Sequence, residues 1–358
     1  MEAGNQTLWT SLGNAMITVD GNHPSRRYKR LRHVAPWIVA LLLLGLALRA
    51  VPFRDLFATL SRLSWFQLSI LFLVNSLIVL IFAGRWWIIL RALNQAVRYL
   101  TLSAYRLSAF AVSYFTPGTQ FGGEPLQVIL LQRRDGISSS IGGASVALDK
   151  AIELLGNFVF LAFGSVVIAR YGLFPEQSGA VLQLLAFALL TLPIVFLLTS
   201  WRGHRPITWL LIRLPMGLIN RFTLLQKLTV MIAGIEEQVV AFCQGHILSL
   251  AGAMFISLIT WIMLLGEYWL MARFLGIDLN LLQTIAVLTI ARFAFLVPLP
   301  GGLGALEVGQ IFAITSLGYT SAEGLSLALL IRARDLVFGG LGLLIGSALL
   351  GEQVANDE

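Results

Sequence analysis

Pro117-Gly118-Thr119-Gln120-Phe121-Gly122-Gly123-Glu124 interrupts one long hydrophobic stretch, and Pro300-Gly301-Gly302-Leu303-Gly304-Ala305-Leu306-Glu307 interrupts another in the same way. Each runs Pro-Gly, then further glycine, then a glutamate seven residues after the proline. Downstream, Gly136-Ile137-Ser138 is answered by Gly318-Tyr319-Thr320, and Asp149 and Arg332 each follow their glutamate by twenty-five residues. Breaking a helix at membrane depth frees N–H and C=O groups that only protein or water can satisfy. A costly feature repeated at corresponding places in two halves points to a transporter's binding site rather than to a kink.

Around these breaks the chain is 57% hydrophobic and only 12% charged, which excludes an ordinary soluble domain. Apolar runs long enough for a hydrocarbon core of roughly 30 Å recur along it. The fold class is therefore all-α: a polytopic helical membrane protein with a single transmembrane domain over about residues 35–350. Residues 1–34 read as a polar, basic cytoplasmic tail without the apolar core of a signal peptide, and 351–358 as a short solvated one. One cysteine, Cys243, rules out an internal disulfide. The four scattered histidines make no metal set, so no metal, no cofactor and no catalytic group is expected. The net charge of +7 comes from arginine-rich loops and argues for anionic lipid rather than nucleic acid.

The reading places spans at about 36–51, 65–90, 140–169, 180–200, 246–274 and 324–350, with interrupted segments at about 102–131 and 281–317. Arg26, Arg27, Lys29, Arg30 and Arg32 hold the N-terminus in the cytoplasm, and Arg85, Arg91, Arg98 and Arg106 count toward the same side. If the first interrupted segment crossed the bilayer, the basic loop 202–227 would face outside. If it dips in and returns, that loop lies inside. Six full spans plus two re-entrant hairpins follow, in two halves (about 35–170 and 179–350) of opposite orientation with both termini cytoplasmic. Trp37, Trp86 and Trp87 read as interfacial anchors, and the loop from Arg205 to Lys227 as a cationic segment lying on the membrane or a plain connector.

Charged residues inside apolar helices are the candidate site. Asp149, Lys150 and Glu153 fall on successive turns of one span, with Arg332, Arg334 and Asp335 as their counterparts in the last. Such charges normally face the protein interior, as a cavity lining or as locally neutralised pairs such as Lys150 and Glu153. Glu124 and Glu307 sit where a half-helix begins. There a carboxylate either caps free N–H groups or, near the midplane, carries a proton or cation. Arg106 and Arg292 precede the breaks at reach of their tips, and a guanidinium fork suits phosphate. Gly118, Gly122, Gly123, Gly301, Gly302 and Gly304 let the hairpins approach closely, and Glu267 is a further candidate.

These motifs, with Val146-Ala147-Leu148-Asp149-Lys150 between them, resemble the lysylphosphatidylglycerol synthase transmembrane-region family of flippase-like membrane proteins over about residues 35–350. The resemblance implies a bacterial or archaeal inner-membrane protein that moves a lipid between leaflets, such as aminoacylated phosphatidylglycerol, a phospholipid or a polyprenyl-phosphate-linked lipid. A hopanoid-linked role occurs among relatives. Because the chain ends at Glu358, no soluble aminoacyl-transfer domain is expected and lysyl transfer is not carried over. No G-x-x-x-x-G-K-[ST] run occurs, so transport is expected to be passive or ion-coupled. The expected partners are membrane lipids with an anionic phosphate head group, with a lipid-modifying enzyme as a further partner. The competing readings are an integral-membrane transferase or an accessory protein of polyprenyl-phosphate or hopanoid metabolism.

Overall fold

The computed structural model describes residues 53–116, 122–172, 176–213, 223–297 and 299–356. The N-terminal tail, the expected first span with Trp37, and the first hairpin's tip with Gly118 lie outside the described residues. All regular structure among those residues is helical: α1 (Phe53–Leu60), α2 (Trp65–Ala92), α3 (Tyr99–Phe115), α4 (Glu124–Asp135), α5 (Ser139–Arg170), α6 (Glu176–Trp201), α7 (Pro206–Ile212), α8 (Thr223–Gly245), α9 (Ile247–Phe274), α10 (Leu281–Ala294), α11 (Ala305–Ser316) and α12 (Ser321–Asn356). A 3-10 turn at Pro300–Gly302 separates α10 from α11.

Four of these helices are long and apolar enough to cross a membrane: Trp65–Ala92, Ser139–Arg170, Gly179–Trp201 and Ile247–Phe274. They coincide with four expected spans. At 1.5 Å per residue, the 28 residues of α2 extend about 42 Å, more than a hydrocarbon core needs. The segment expected as the final span falls in a single 36-residue helix running to Asn356, which is not one of these four, and the expected tail from 351 is mostly helical. It carries Arg332, Arg334 and Asp335 in its middle, which sets it apart from a plain apolar span.

Local signals set the helix boundaries. Ser64 accepts from the Gln67 N–H at 3.2 Å while Gln67 accepts from the Ser64 N–H at 2.9 Å, a capping box that starts α2. Asn280 and Gln283 repeat it at the start of α10. Both interrupted segments are helix–break–helix units: α3 packs on α4, and α10 on α11. At the second break the backbone turns through Gly301, Gly302 and Gly304 at φ of 56°, 62° and 77°, a region open chiefly to glycine. At the first, α4 starts hard against α3, and a Cβ on Gly123 would stand 2.1 Å from the Ala109 carbonyl oxygen.

The core is arranged around α5, which packs on α2, α4, α6, α8, α9 and α10, whereas α12 packs chiefly on α3 and α11. The second half thus closes against the first along α3–α12, and the Pro300–Gly302 turn also rests on α3. α8 was not foreseen: the segment after the basic loop reads as a connector, yet 223–245 is helical and buries Val239, Phe242 and Cys243 against α5 and α9. From within it, the buried Glu236 carboxylate accepts from the Ile207 and Thr208 N–H groups at 2.8 and 2.6 Å. This pins the start of α7, whose Trp209, Leu210 and Ile212 remain exposed.

Candidate functional site

One stripe of α2 builds the first wall of the site. Leu71, Asn75, Ile78, Arg85 and Ile89 recur at helical spacing and are all buried, so the stripe carries an amide and a guanidinium into the interior. Arg85 is 1% exposed. Arg85 and Arg106, which the charge count places toward the cytoplasmic side, are held by carboxylates in the protein interior. Trp86 is likewise no interfacial anchor: it is fully buried, and its indole N–H donates to Ser145 Oγ at 3.1 Å.

Arg85 and Arg106 converge on the two carboxylates of α5. Arg85 Nε lies 2.6 Å from Asp149 Oδ1 and its Nη2 3.1 Å from Glu153 Oε2. Arg106 pairs with the other oxygen of Asp149 and reaches Glu153 Oε2 at 2.5 Å. The Phe82 ring lies 5.4 and 4.9 Å from the two guanidinium carbons. Lys150 Nζ closes the set, 2.9 Å from Glu153 and 2.9 Å from Glu124. Isolated charges at this depth would be costly. Here three cations and three carboxylates satisfy one another, which is what makes their burial tolerable.

The second half assembles a smaller cluster. Arg334 grips Glu267 with Nη1 at 2.8 Å and Asp335 with Nη2 at 2.7 Å, while the Asn75 amide donates to Glu267 at 2.8 Å. Arg332 turns the other way and pairs with Glu307, Nη2 to Oε1 at 2.5 Å. Arg292, on α10, rests its guanidinium carbon 5.0 Å from the centre of the Trp261 ring, which stacks on Phe160 at 4.5 Å.

The two glutamates after the glycine breaks each do two things. Glu124 Oε2 accepts from the Gly122 N–H at 2.8 Å, and its Oε1 takes Lys150. Glu307 Oε2 accepts from the Gly304 N–H at 2.9 Å, and its Oε1 takes Arg332. Capping and ion pairing coexist on one carboxylate. The partner cations stand 26 and 25 residues downstream, so Lys150, not the aligned Asp149, is the structural match of Arg332.

A cavity of about 260 Å3 lies among these groups. Of the residues singled out in the sequence, Arg106, Gly123, Glu124, Asp149, Lys150, Glu153, Arg292, Arg334 and Asp335 line it. Gly122, Gly301, Gly302, Gly304, Glu307 and Arg332 do not; the last five form a neighbouring buttress, with Tyr114 between Gly301 and the cavity. Asn75 and Gln127 line the cavity as well, and Arg85 and Glu267 support its lining ions. The signal for Arg85 was available: it shares a helical face with Asn75 and Phe82. Phe82, Phe110, Phe295 and Phe338 supply apolar wall. No group of three or more metal-ligating side chains occurs among the described residues.

The profile of the lysylphosphatidylglycerol synthase TM region matches residues 34–342. Two UPF0104 membrane proteins of Methanothermobacter thermautotrophicus are similar to the chain. One is 24% identical over 282 residues, covering 74% of this chain and 79% of the relative. The other is 25% identical over 244 residues, covering 64% and 70%. With a profile match spanning well over half its length and both glycine breaks inside it, the chain belongs to the lysylphosphatidylglycerol synthase transmembrane-region family.

Proposed function

We propose that this protein is a lipid transporter of the cell's inner membrane that receives a phosphate-bearing head group in the charged cavity and moves the lipid between leaflets. The observation that carries this reading is the cavity's lining: Arg106, Lys150, Arg292 and Arg334 with Glu124, Asp149, Glu153 and Asp335, drawn from both halves of a membrane protein. Charge buried at such expense within apolar helices marks substrate or ion pathways. At about 260 Å3 the cavity is smaller than the roughly 300–1,000 Å3 of a site for a drug-sized ligand. It suits a head group, with acyl chains left against the apolar wall and the bilayer.

The two helix–break–helix units are read as re-entrant hairpins of an inverted repeat, with both termini cytoplasmic. The matching Glu–cation pairs after each break support this, as does the meeting of the second turn with α3. In inverted-repeat transporters the half-helix N-termini face the substrate, and here Gly123 and Glu124 at the start of α4 line the cavity. Glu124, on the cavity side, is the carboxylate placed to couple transport to a proton or cation.

The test is a leaflet-resolved assay in liposomes holding only this protein. Fluorescently labelled phospholipid in the inner leaflet should become accessible to an external quencher faster than in protein-free vesicles. Equal rates across a panel of phospholipids and a polyprenyl phosphate would overturn the proposal.

A further inference from the structure

Arg292 differs from every other cation at the cavity. Its guanidinium sits on Trp261, and among the described residues no carboxylate lies within the 4.0 Å of an ion pair. Arg85, Arg106 and Lys150 each have one or more, in a set that closes on itself, three cations against Glu124, Asp149 and Glu153. The opposite gap lies on α12. Arg334 alone serves both Glu267 and Asp335, which leaves that trio with one surplus negative charge. Arg292 and Asp335 line the same cavity. Among the described residues the site therefore holds one guanidinium without an ion-pair partner of its own and one trio with a surplus negative charge, and its five cations and five carboxylates cancel.

Resting on the lipid-binding reading above, we infer that the head group is dipolar and net-neutral: one phosphodiester, taken by Arg292, and one ammonium, taken on the Asp335 side. A planar guanidinium matches two phosphate oxygens at once, and Trp261 beneath it holds the plane in place. An ammonium is a compact point charge that a carboxylate accepts without a preferred plane. A head group with no ammonium would leave the surplus negative charge of that trio unanswered and bring a net negative charge into a balanced site. One with two ammonium groups per phosphate, as in lysylphosphatidylglycerol, would bring a net positive one. Both are disfavoured by the same count.

The experiment is native mass spectrometry of the purified full-length chain in detergent. It is offered equal amounts of dioleoyl phosphatidylethanolamine (dipolar), dioleoyl phosphatidylglycerol (anionic) and dioleoyl trimethylammonium propane (cationic, without phosphate). The wild type should retain phosphatidylethanolamine over both others. Arg292→Gln removes a guanidinium that, among the described residues, takes part in no ion pair, and should shift retention toward the cationic lipid. Asp335→Asn should shift it toward phosphatidylglycerol. Each shift should be about tenfold or more, the size of one lost charge-assisted hydrogen bond. If the wild type retains phosphatidylglycerol as well as phosphatidylethanolamine, or Arg292→Gln leaves the order unchanged, the inference is overturned. In that case phospholipid movement in the vesicle assay would leave the transporter reading standing. Loss of both retention and movement for every phosphate-bearing lipid would instead remove the transporter reading, and this inference with it.

Discussion

Glu124 and Glu307 are twins in the sequence, and the structure separates their roles by what surrounds each. Glu307 is the carboxylate partner of Arg332, whose side chain is 2% exposed and 2.5 Å away, while Glu307 itself is 17% exposed. Removing one partner of such a pair strands the other, at a cost of about 3–5 kcal/mol. The lost cap at Gly304 adds little, since glutamine keeps an acceptor oxygen. Glu124→Gln differs: Lys150 keeps Glu153 at 2.9 Å, and the two side chains of the lost pair are 17% and 25% exposed. Its cost should be about 1 kcal/mol or less. Thermal unfolding of the two single variants in detergent should therefore diverge. At roughly 2–4 °C per kcal/mol, Glu307→Gln should lower the midpoint by roughly 6 °C or more and Glu124→Gln by no more than roughly 4 °C. Adding Arg332→Gln to Glu307→Gln should recover part of the loss, because the stranded charge goes with it. In the vesicle assay the order should reverse, with folded Glu124→Gln losing coupled movement or its pH dependence. Equal destabilisation by both glutamines, or strict additivity of Glu307→Gln with Arg332→Gln, would refute this division of labour.

Arg85→Leu should be among the most damaging single changes, at about 3–5 kcal/mol, because Asp149 and Glu153 lose a fully buried partner. Expression with retention of a monodisperse peak on size exclusion would check it, and a stable Arg85→Leu would contradict the buried network. Gly123→Ala should destabilise the α3–α4 contact, since its Cβ would meet the Ala109 carbonyl oxygen at 2.1 Å and backbone cannot step aside cheaply; a melting curve like wild type's would show that the two helices are not so close. Tags at Asp135 and Arg205 should both report the cytoplasm, and a periplasmic tag at 135 would end the re-entrant reading. In a Cys243→Ser background, a cysteine at Leu303 should react with small water-soluble thiol reagents and be protected by bound lipid; no reaction at all would place the second turn outside any aqueous path.

Sequence by itself determined the class, because hydrophobic runs of span length and glycine breaks are local properties of the chain. It located α2, α5, α6 and α9 as spans and both helix–break–helix units, and the capping geometry after each break is likewise set by residues within a turn of one another. It also named most of the charges that line the cavity, since a charge in an apolar helix is conspicuous wherever it ends up. What only the tertiary structure decided is which charge meets which. Arg85 and Asp149 are 64 residues apart, and Asn75 and Glu267 are 192, so their contacts exist only once α2, α5 and α9 pack. A positive-inside count registers Arg85 and Arg106 only as charges near one membrane face, and does not reveal that carboxylates on a neighbouring helix hold them in the interior. The same packing sends Lys150 rather than Asp149 to Glu124 and turns Arg332 from the cavity toward Glu307. It leaves Arg292 over Trp261, with no carboxylate of the described residues at ion-pair distance, because burial of charge is settled by three-dimensional neighbours and not by position along the chain.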